Sequence, residues 1–260
     1  MESRLTYRSI QTTTAWQYKI REDKKKDWLE SGKYRFWENL DLSLKNARVK
    51  EVDRKTAEKI ILEYEWLGDM AVTNKFYGIF FGNYCGGVIC LSVKQGGGCG
   101  TALPIQLKTN PKKMVYFARG ACPFWTPKGT ASKLLSYTLK LLEKSNEYDL
   151  AIAYSDTDAG EYGTVYQASN WICLGKGKGR KNGELVSPEG KIHNNRILGT
   201  FAKKNNISWS DARAYFLNNG YKEQTSNAKY RYCYILNRNE KDIIHNKIKH
   251  LITEYPKREL

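Results

Sequence analysis

The chain has 260 residues, 43 of them Lys or Arg against 27 Asp or Glu, for a net charge of +16. With 41% hydrophobic and 13% aromatic residues it holds enough apolar material for one sizeable core, which excludes a wholly disordered chain. No run of about 18 apolar residues occurs, which excludes a spanning helix, and the opening MESRLTYRSIQTTTAWQYKIREDKKK lacks the apolar segment of a secretory signal. A cytoplasmic protein without a membrane partner is expected.

Residues 1–45 show no sustained period beyond a short helical stretch at REDKKKDWLESG, and read as a basic, aromatic extension that wraps the domain or touches a partner. ARVKEVD (47–53) reads as a strand. RKTAEKIILEYEWLG (54–68) then places Ala57, Ile60, Ile61, Tyr64 and Leu67 at helical spacing, with Gly68 as the stop. KFYGIFFGN and YCGGVICLSVK are two apolar runs joined at Gly82-Asn83, a hairpin signature, and QGGGCG (95–100) reads as a loop. MVYFARGAC (114–122) is another strand, and TPKGTASKLLSYTLKLLEKS carries a helical stripe of Leu134, Leu135, Thr138 and Leu142. YDLAIAYSD (148–156) reads as a buried strand, AGEYGTVYQASN as a short helix and WICLGKGKGRK as a strand entering a basic glycine loop. SWSDARAYFLNNG (208–220) is a capped helix, NAKYRYCYIL a strand, and NEKDIIHNKIKHLIT a final amphipathic helix. The whole predicts an α/β domain over 46–260, with a mixed central sheet flanked by helices and a basic C-terminal segment, 172–260.

The charge is unevenly placed. Residues 1–50 carry +5 and residues 51–171 only +1, while residues 172–260 carry +10. Such a field attracts phosphate backbones, and aromatics interleave with it: Trp16, Tyr18, Trp28, Tyr34, Phe36 and Trp37, then Tyr221, Tyr230, Tyr232 and Tyr234. The alternative is a merely soluble lysine-rich surface. The six cysteines form no C-x-x-C pair and the three histidines no H-E-x-x-H, so reduced, mostly buried thiols are expected.

Strand, helix, hairpin, strand, helix, strand, helix, strand is the element order of acyl-CoA N-acyltransferases, the GNAT fold. In that fold a splayed strand and the next helix N-terminus bind pyrophosphate through backbone N–H groups. Here the position falls in ARGACPFWTPKGTAS (118–132), which lacks the usual Gln/Arg-x-x-Gly-x-Gly/Ala turn. Lys128, Gly129, Thr130 and Ser132 offer an analogous phosphate contact, and Ser132 is equally a plain helix cap. In YSDTDAGEYGTVYQASNW (154–171), Asp156 stands at the C-terminal end of a buried strand and Tyr166 ten residues on. A carboxylate beside a phenol can move protons, although a turn aspartate and a core tyrosine explain the same residues.

Four blocks carry a resemblance to the phage Mom family of DNA-adenine modification proteins: EYEWLG (63–68), VYFARG with GTASKLLS (115–136), YSDTDAGEYGTVYQASNW, and KYRYCYILNRNEK with YPK (229–257). The resemblance implies a GNAT-like fold and attachment of a carbamoylmethyl (acetamido) group to N6 of adenine in double-stranded phage DNA, shielding it from host restriction. It places Arg119, Asp156 and Tyr166 on the family's functional positions, with Ser132 at the helix start, and puts Glu65 in the slot of a family histidine. A CoA thioester such as acetyl-CoA is the implied cofactor, held by Arg119, Lys128, Gly129 and Ser132. Iron on Glu65, Asp156 and Tyr166 has been considered for such a site, without a sequence argument for it. Trp66 or Trp171 would stack a flipped base, and Lys176, Lys178, Arg180, Lys181, Lys229 and Arg231 would meet the DNA backbone. A dimer is compatible with this reading. The competing readings are a conventional N-acetyltransferase for a protein or small amine, and a non-catalytic DNA-binding protein on a degenerate scaffold.

Overall fold

The computed structural model describes residues 15–92, 106–107, 110–177, 180–189, 192–194 and 196–257. Helix α1 (Trp16–Glu30) and a 3-10 turn (Phe36–Asn39) precede β1 (Arg48–Glu51), α2 (Arg54–Tyr64), β2 (Lys75–Phe81), β3 (Tyr84–Ser92) and β4 (Met114–Ala121). Helix α3 (Thr130–Ser145), β5 (Leu150–Ser155), α4 (Thr164–Gln167) and β6 (Ile172–Lys176) follow. A second unit comprises β7 (Arg180–Val186), β8 (Ile192–Asn194), α5 (Arg196–Asn205), α6 (Trp209–Asn218) and β9 (Lys222–Ser226). The chain then returns through β10 (Tyr230–Ile235) to α7 (Lys241–Ile248).

Seven strands make the main sheet in the order β1-β2-β3-β4-β5-β10-β6. Its neighbours are antiparallel except β4 and β5, which run parallel from Met114↔Leu150 to Phe117↔Ala153. Beyond Phe117 the two strands separate. A register shift on the β3 side brings Cys90 opposite Arg119 after Leu91 opposite Phe117, so a bulge at Ala118 re-aims β4, which goes on to pair Ala121 with Val88. β5 meanwhile continues along β10, with Ser155 opposite Tyr230. This divergence leaves an opening between the C-terminal ends of β4 and β5.

Strand alternation divides the core between the two faces. Val115, Phe117, Ala151 and Ala153 pack with Leu134, Leu135, Leu139 and Leu142 of α3. Met114, Leu150 and Ile152 point the other way, onto Ile244 and Ile248 of α7. The predicted stripe of α3 is buried as expected. The β2–β3 hairpin turns at Gly82-Asn83, with Phe81 opposite Tyr84 and Gly82 at φ +57. Trp171 is fully buried, its ring 5.2 Å from Phe117 and 5.1 Å from Tyr166. Trp171→Ala is therefore expected to cost about 3–5 kcal/mol in urea or thermal unfolding.

Three expectations change. Helix α2 ends at Tyr64 instead of running to Gly68, because the Glu65 carboxylate accepts the N–H groups of Leu67 and Gly68 and folds the chain into a turn. The extension is partly a long helix: Trp16 and Ile20 of α1 are buried against Trp66 and Ala159. The third concerns the segment between β6 and β10, which holds a separate three-stranded sheet, β8-β7-β9, with two helices. Its strands carry few apolar residues, Leu185 and Val186 in β7, Ile192 in β8 and none in β9, so no alternating pattern marks them. The predicted loop 95–100 lies outside the described residues.

Candidate functional site

Glu65 follows directly on α2 and is 5% exposed. Its Oε2 accepts from the N–H groups of Leu67 (2.8 Å) and Gly68 (3.1 Å), and Arg119 Nε lies 3.8 Å away. Burial dominates over these stabilising contacts and pushes the carboxyl up to about 7. Arg119, just past the β4 bulge, reaches back across to this turn. It donates to Asp69 Oδ1 (2.7 Å) and to the Asp69 carbonyl (3.0 Å).

Asp156 begins the turn that follows β5 and is 5% exposed. Its Oδ1 accepts the Asp158 N–H at 3.1 Å and its Oδ2 sits 2.6 Å from Lys229 Nζ, at the entry to β10. Glu161 is half-buried, and its backbone N–H donates to the Asp156 carbonyl. Burial, then repulsion from Glu65 and from Asp156, raises its carboxyl to about 8. The Tyr166 phenol is also held well above its usual range, by burial and then by the Glu161 charge. Glu65, beside Arg119 of β4, and Asp156, at the end of β5, thus both act on Glu161. Sequence reasoning passed over Glu161; the available signal was a carboxylate between two turn glycines, Gly160 and Gly163, both with positive φ. At Gly163 a side chain is impossible, since a Cβ would fall 2.4 Å from the Tyr232 ring.

Helix α1 covers this region. Trp16 meets Trp66 edge-on at 5.5 Å, Ala159 joins the same cluster, and Gln17 Nε2 donates to the Tyr64 carbonyl. Arg21 donates to the carbonyls of Phe124 and Thr126, in the loop leading from β4 to α3. That loop ends at Gly129, the N-cap of α3, with φ +93 and no side-chain cap. The N–H of Thr130 goes to Pro127 and that of Lys133 to Gly129, leaving the first-turn N–H groups of Ala131 and Ser132 directed outward by helix geometry. Ser132 is the third residue of the helix and so is not its cap, and Lys128 is exposed beside it.

The residues expected to meet DNA are distributed differently. Trp66 and Trp171 are both core residues and present no face to a flipped base. Most of the N-terminal aromatics likewise pack inward: Trp28, Phe36 and Trp37 cluster with Phe124 and Trp125. Arg231 is occupied by Gln106 Oε1 (2.9 Å) and the Leu174 carbonyl (2.7 Å), and Lys229 by Asp156. Lys176 is exposed, its ammonium 5.0 Å from the Tyr230 ring centre. Arg180 and Lys181 lie at the start of β7, and Lys178 lies outside the described residues. Among the described residues, no three His, Cys, Asp or Glu side chains group to hold a metal ion, so the iron considered for Glu65, Asp156 and Tyr166 finds no such set there. Of the cysteines described, all five are unpaired and four are buried. Among the described residues no helix is long and apolar enough to cross a membrane.

The mixed sheet split between its parallel strands, with a helix N-terminus beside the split, defines a GNAT-like α/β fold. The chain belongs to the Mom protein family, which it matches over residues 46–257. Helix α1 lies outside that match. Among solved structures, the chain is similar to a Bacillus subtilis acetyltransferase in complex with CoA (10% identity, TM-score 0.38, covering 73% of this chain and 99% of that one). It is similar also to an N-acetyltransferase from Staphylococcus aureus (11%, TM-score 0.41, 74% and 99%). A third is the ribosomal-protein-S18-alanine N-acetyltransferase from Escherichia coli (7%, TM-score 0.40, 74% and 94%). No curated protein matches the chain.

Proposed function

We propose that the protein is a transferase that attaches a carbamoylmethyl group to N6 of adenine in double-stranded phage DNA, protecting it from host restriction. Membership of the Mom family supports this reading, and one observation carries it: Glu65, a buried carboxyl poised near 7 and beside Arg119 of β4, lies near enough to Asp156 at the end of β5 for both to act on Glu161. Adenine N6 is a weak nucleophile because its lone pair is delocalised into the ring. It gains from a base that takes its proton as the new bond forms. Glu65 is that base. Asp156, fixed by Lys229, accepts the second N6 hydrogen and orients the amine, and Tyr166 returns a proton to the leaving group in this reading.

The α3 N-terminus suits a CoA phosphate, with the Ala131 and Ser132 N–H groups donating and Lys128 adding charge, while Gly129, where a Cβ would meet Leu44 at 3.0 Å, shapes the turn. A CoA thioester held there would supply an activated acyl carbon, from which an attacking amine displaces CoA thiol to leave an amide; the carbamoylmethyl product needs a donor whose methylene carbon bears the leaving group. Arg119 is committed to Asp69 and Glu65, and so acts on the cofactor side by fixing the base. With both tryptophans in the core, the half-buried pair Tyr162 and Tyr230, 6.5 Å apart, is the aromatic surface next to Asp156 for an extruded base.

Carbamoylmethyl is joined through an alkyl carbon, whereas acyl transfer from acetyl-CoA leaves an N-acetyl group. This difference, together with the burial of Trp66 and Trp171, favours as second reading an N-acetyltransferase for a protein or small amine. Mass spectrometry of nucleosides from DNA of cells expressing the protein separates the two. The expected result is a heavier deoxyadenosine that disappears with Tyr166→Phe. Unmodified DNA from folded protein, with acetyl-CoA consumed on an added amine, would replace the first reading by the second.

A further inference from the structure

Residues 180–226 form a unit with a core of its own, Leu185, Leu198 and Phe216 packed with Ile197, Phe201 and Tyr221. Helices α5 and α6 are joined by three residues, 206–208, with Asn206 at φ +52, and pack through Phe201 stacked on Tyr215 at 4.6 Å. Two packed helices joined by so short a turn are a common way to present a helix to a DNA groove. We propose that this inserted unit is a duplex-DNA grip in which Lys203 and Lys204 hold backbone phosphates. The inference rests on the DNA-modification reading and names the surface that delivers the duplex to that site.

The arrangement of charge argues for it. Every acidic side chain of the unit is used internally. Glu223 takes both guanidinium branches of Arg213 at 2.6 and 2.7 Å, Asp211 closes a capping box with Ser208, Glu189 bonds Ser187, and Glu184 is buried. Lys203 and Lys204 are exposed and have no carboxylate partner among the described residues. They share one open concavity with Gly199 and Thr200, and a Cβ on Gly199 would meet nothing within 4 Å, so a phosphate chain can approach the helix closely. Trp209 and Tyr215 stand exposed on the second helix. The concavity is therefore cationic, with exposed aromatics on the partner helix, and such cationic groups are the chemistry that a nucleic-acid backbone recognises.

The unit is also fastened to the catalytic turn. Asn227 donates its side-chain amide and its backbone N–H to Asp158, Lys229 pairs with Asp156, and on the incoming side the Gly177 N–H donates to the Lys229 carbonyl. Both connections of the unit thus meet at the residues that would orient the adenine.

The test measures binding of the full-length protein to a fluorescent duplex of about 20 base pairs across a salt series, with nucleoside mass spectrometry in parallel. Lys203→Glu/Lys204→Glu is expected to weaken binding at least tenfold and to flatten the slope of log K against log salt by about 2, since each phosphate contact contributes roughly 0.9. The Lys203→Arg/Lys204→Arg pair should bind as the wild type does, and unchanged circular dichroism would show that the charge reversal leaves the fold intact. A charge-reversed protein that binds duplex with unaltered affinity and slope, while wild type modifies DNA, overturns this inference alone. A wild type that neither binds duplex at low salt nor modifies adenine overturns the parent reading with it.

Discussion

Glu65→Gln is expected to lower the rate of adenine modification by roughly two to four orders of magnitude, the usual contribution of a positioned general base. The amide keeps an oxygen to accept the Leu67 and Gly68 N–H groups, so the turn persists while the proton acceptor is lost. In the wild type the base must be ionised. With its carboxyl at about 7, activity should rise about tenfold from pH 6 to pH 8 and then level off. The substitution should abolish that rising limb. Stability should run the opposite way. The folded state holds this proton more tightly than the unfolded chain, where the group titrates near 4.5, so the contribution is complete below that value and lost as pH rises through about 7. Glu161, at about 8, acts in the same direction. Urea midpoints between pH 5 and 8 should therefore fall more steeply for the wild type than for Glu65→Gln.

Asp156→Asn should remove at least about two orders of magnitude of modification while duplex affinity stays within a few-fold. The asparagine oxygen still accepts the Asp158 N–H, but the charge facing Lys229 is gone. Because Lys229 is 45% exposed on its side chain, water takes over its solvation and the fold should survive. A thermal midpoint close to wild type, with the heavier deoxyadenosine absent, assigns the loss to chemistry. Normal modification by this variant would remove Asp156 from the site.

Much of the fold was legible because its signals are local and repeated. The α3 stripe, the Gly82-Asn83 hairpin and the Ser208 cap each announce themselves within a few residues. Asp156 and Tyr166 stood out because a polar pair follows an apolar strand. Other features depend on partners far along the chain. The pairing of Asp156 with Lys229 spans more than seventy residues, and the burial that raises the Glu65 carboxyl is not revealed by any spacing within EYEWLG. Trp66 and Trp171 misled for the same reason: an aromatic beside a functional motif serves equally as a ligand platform or as the packing beneath it, and tertiary burial decides. The inserted unit was hidden by its size, because three short strands around a small core produce little periodicity.

The position of β10 sets an order of assembly. This strand lies between β5 and β6, yet it leaves the ribosome only after the inserted unit, whose local contacts can close first. Until residue 235 has emerged, β5 and β6 each present a bare edge to other nascent chains, and Asp156 lacks its lysine. A chain cut short after β9 would carry a finished insert on an unfinished sheet. During synthesis, then, the appendage matures before the catalytic domain that carries it.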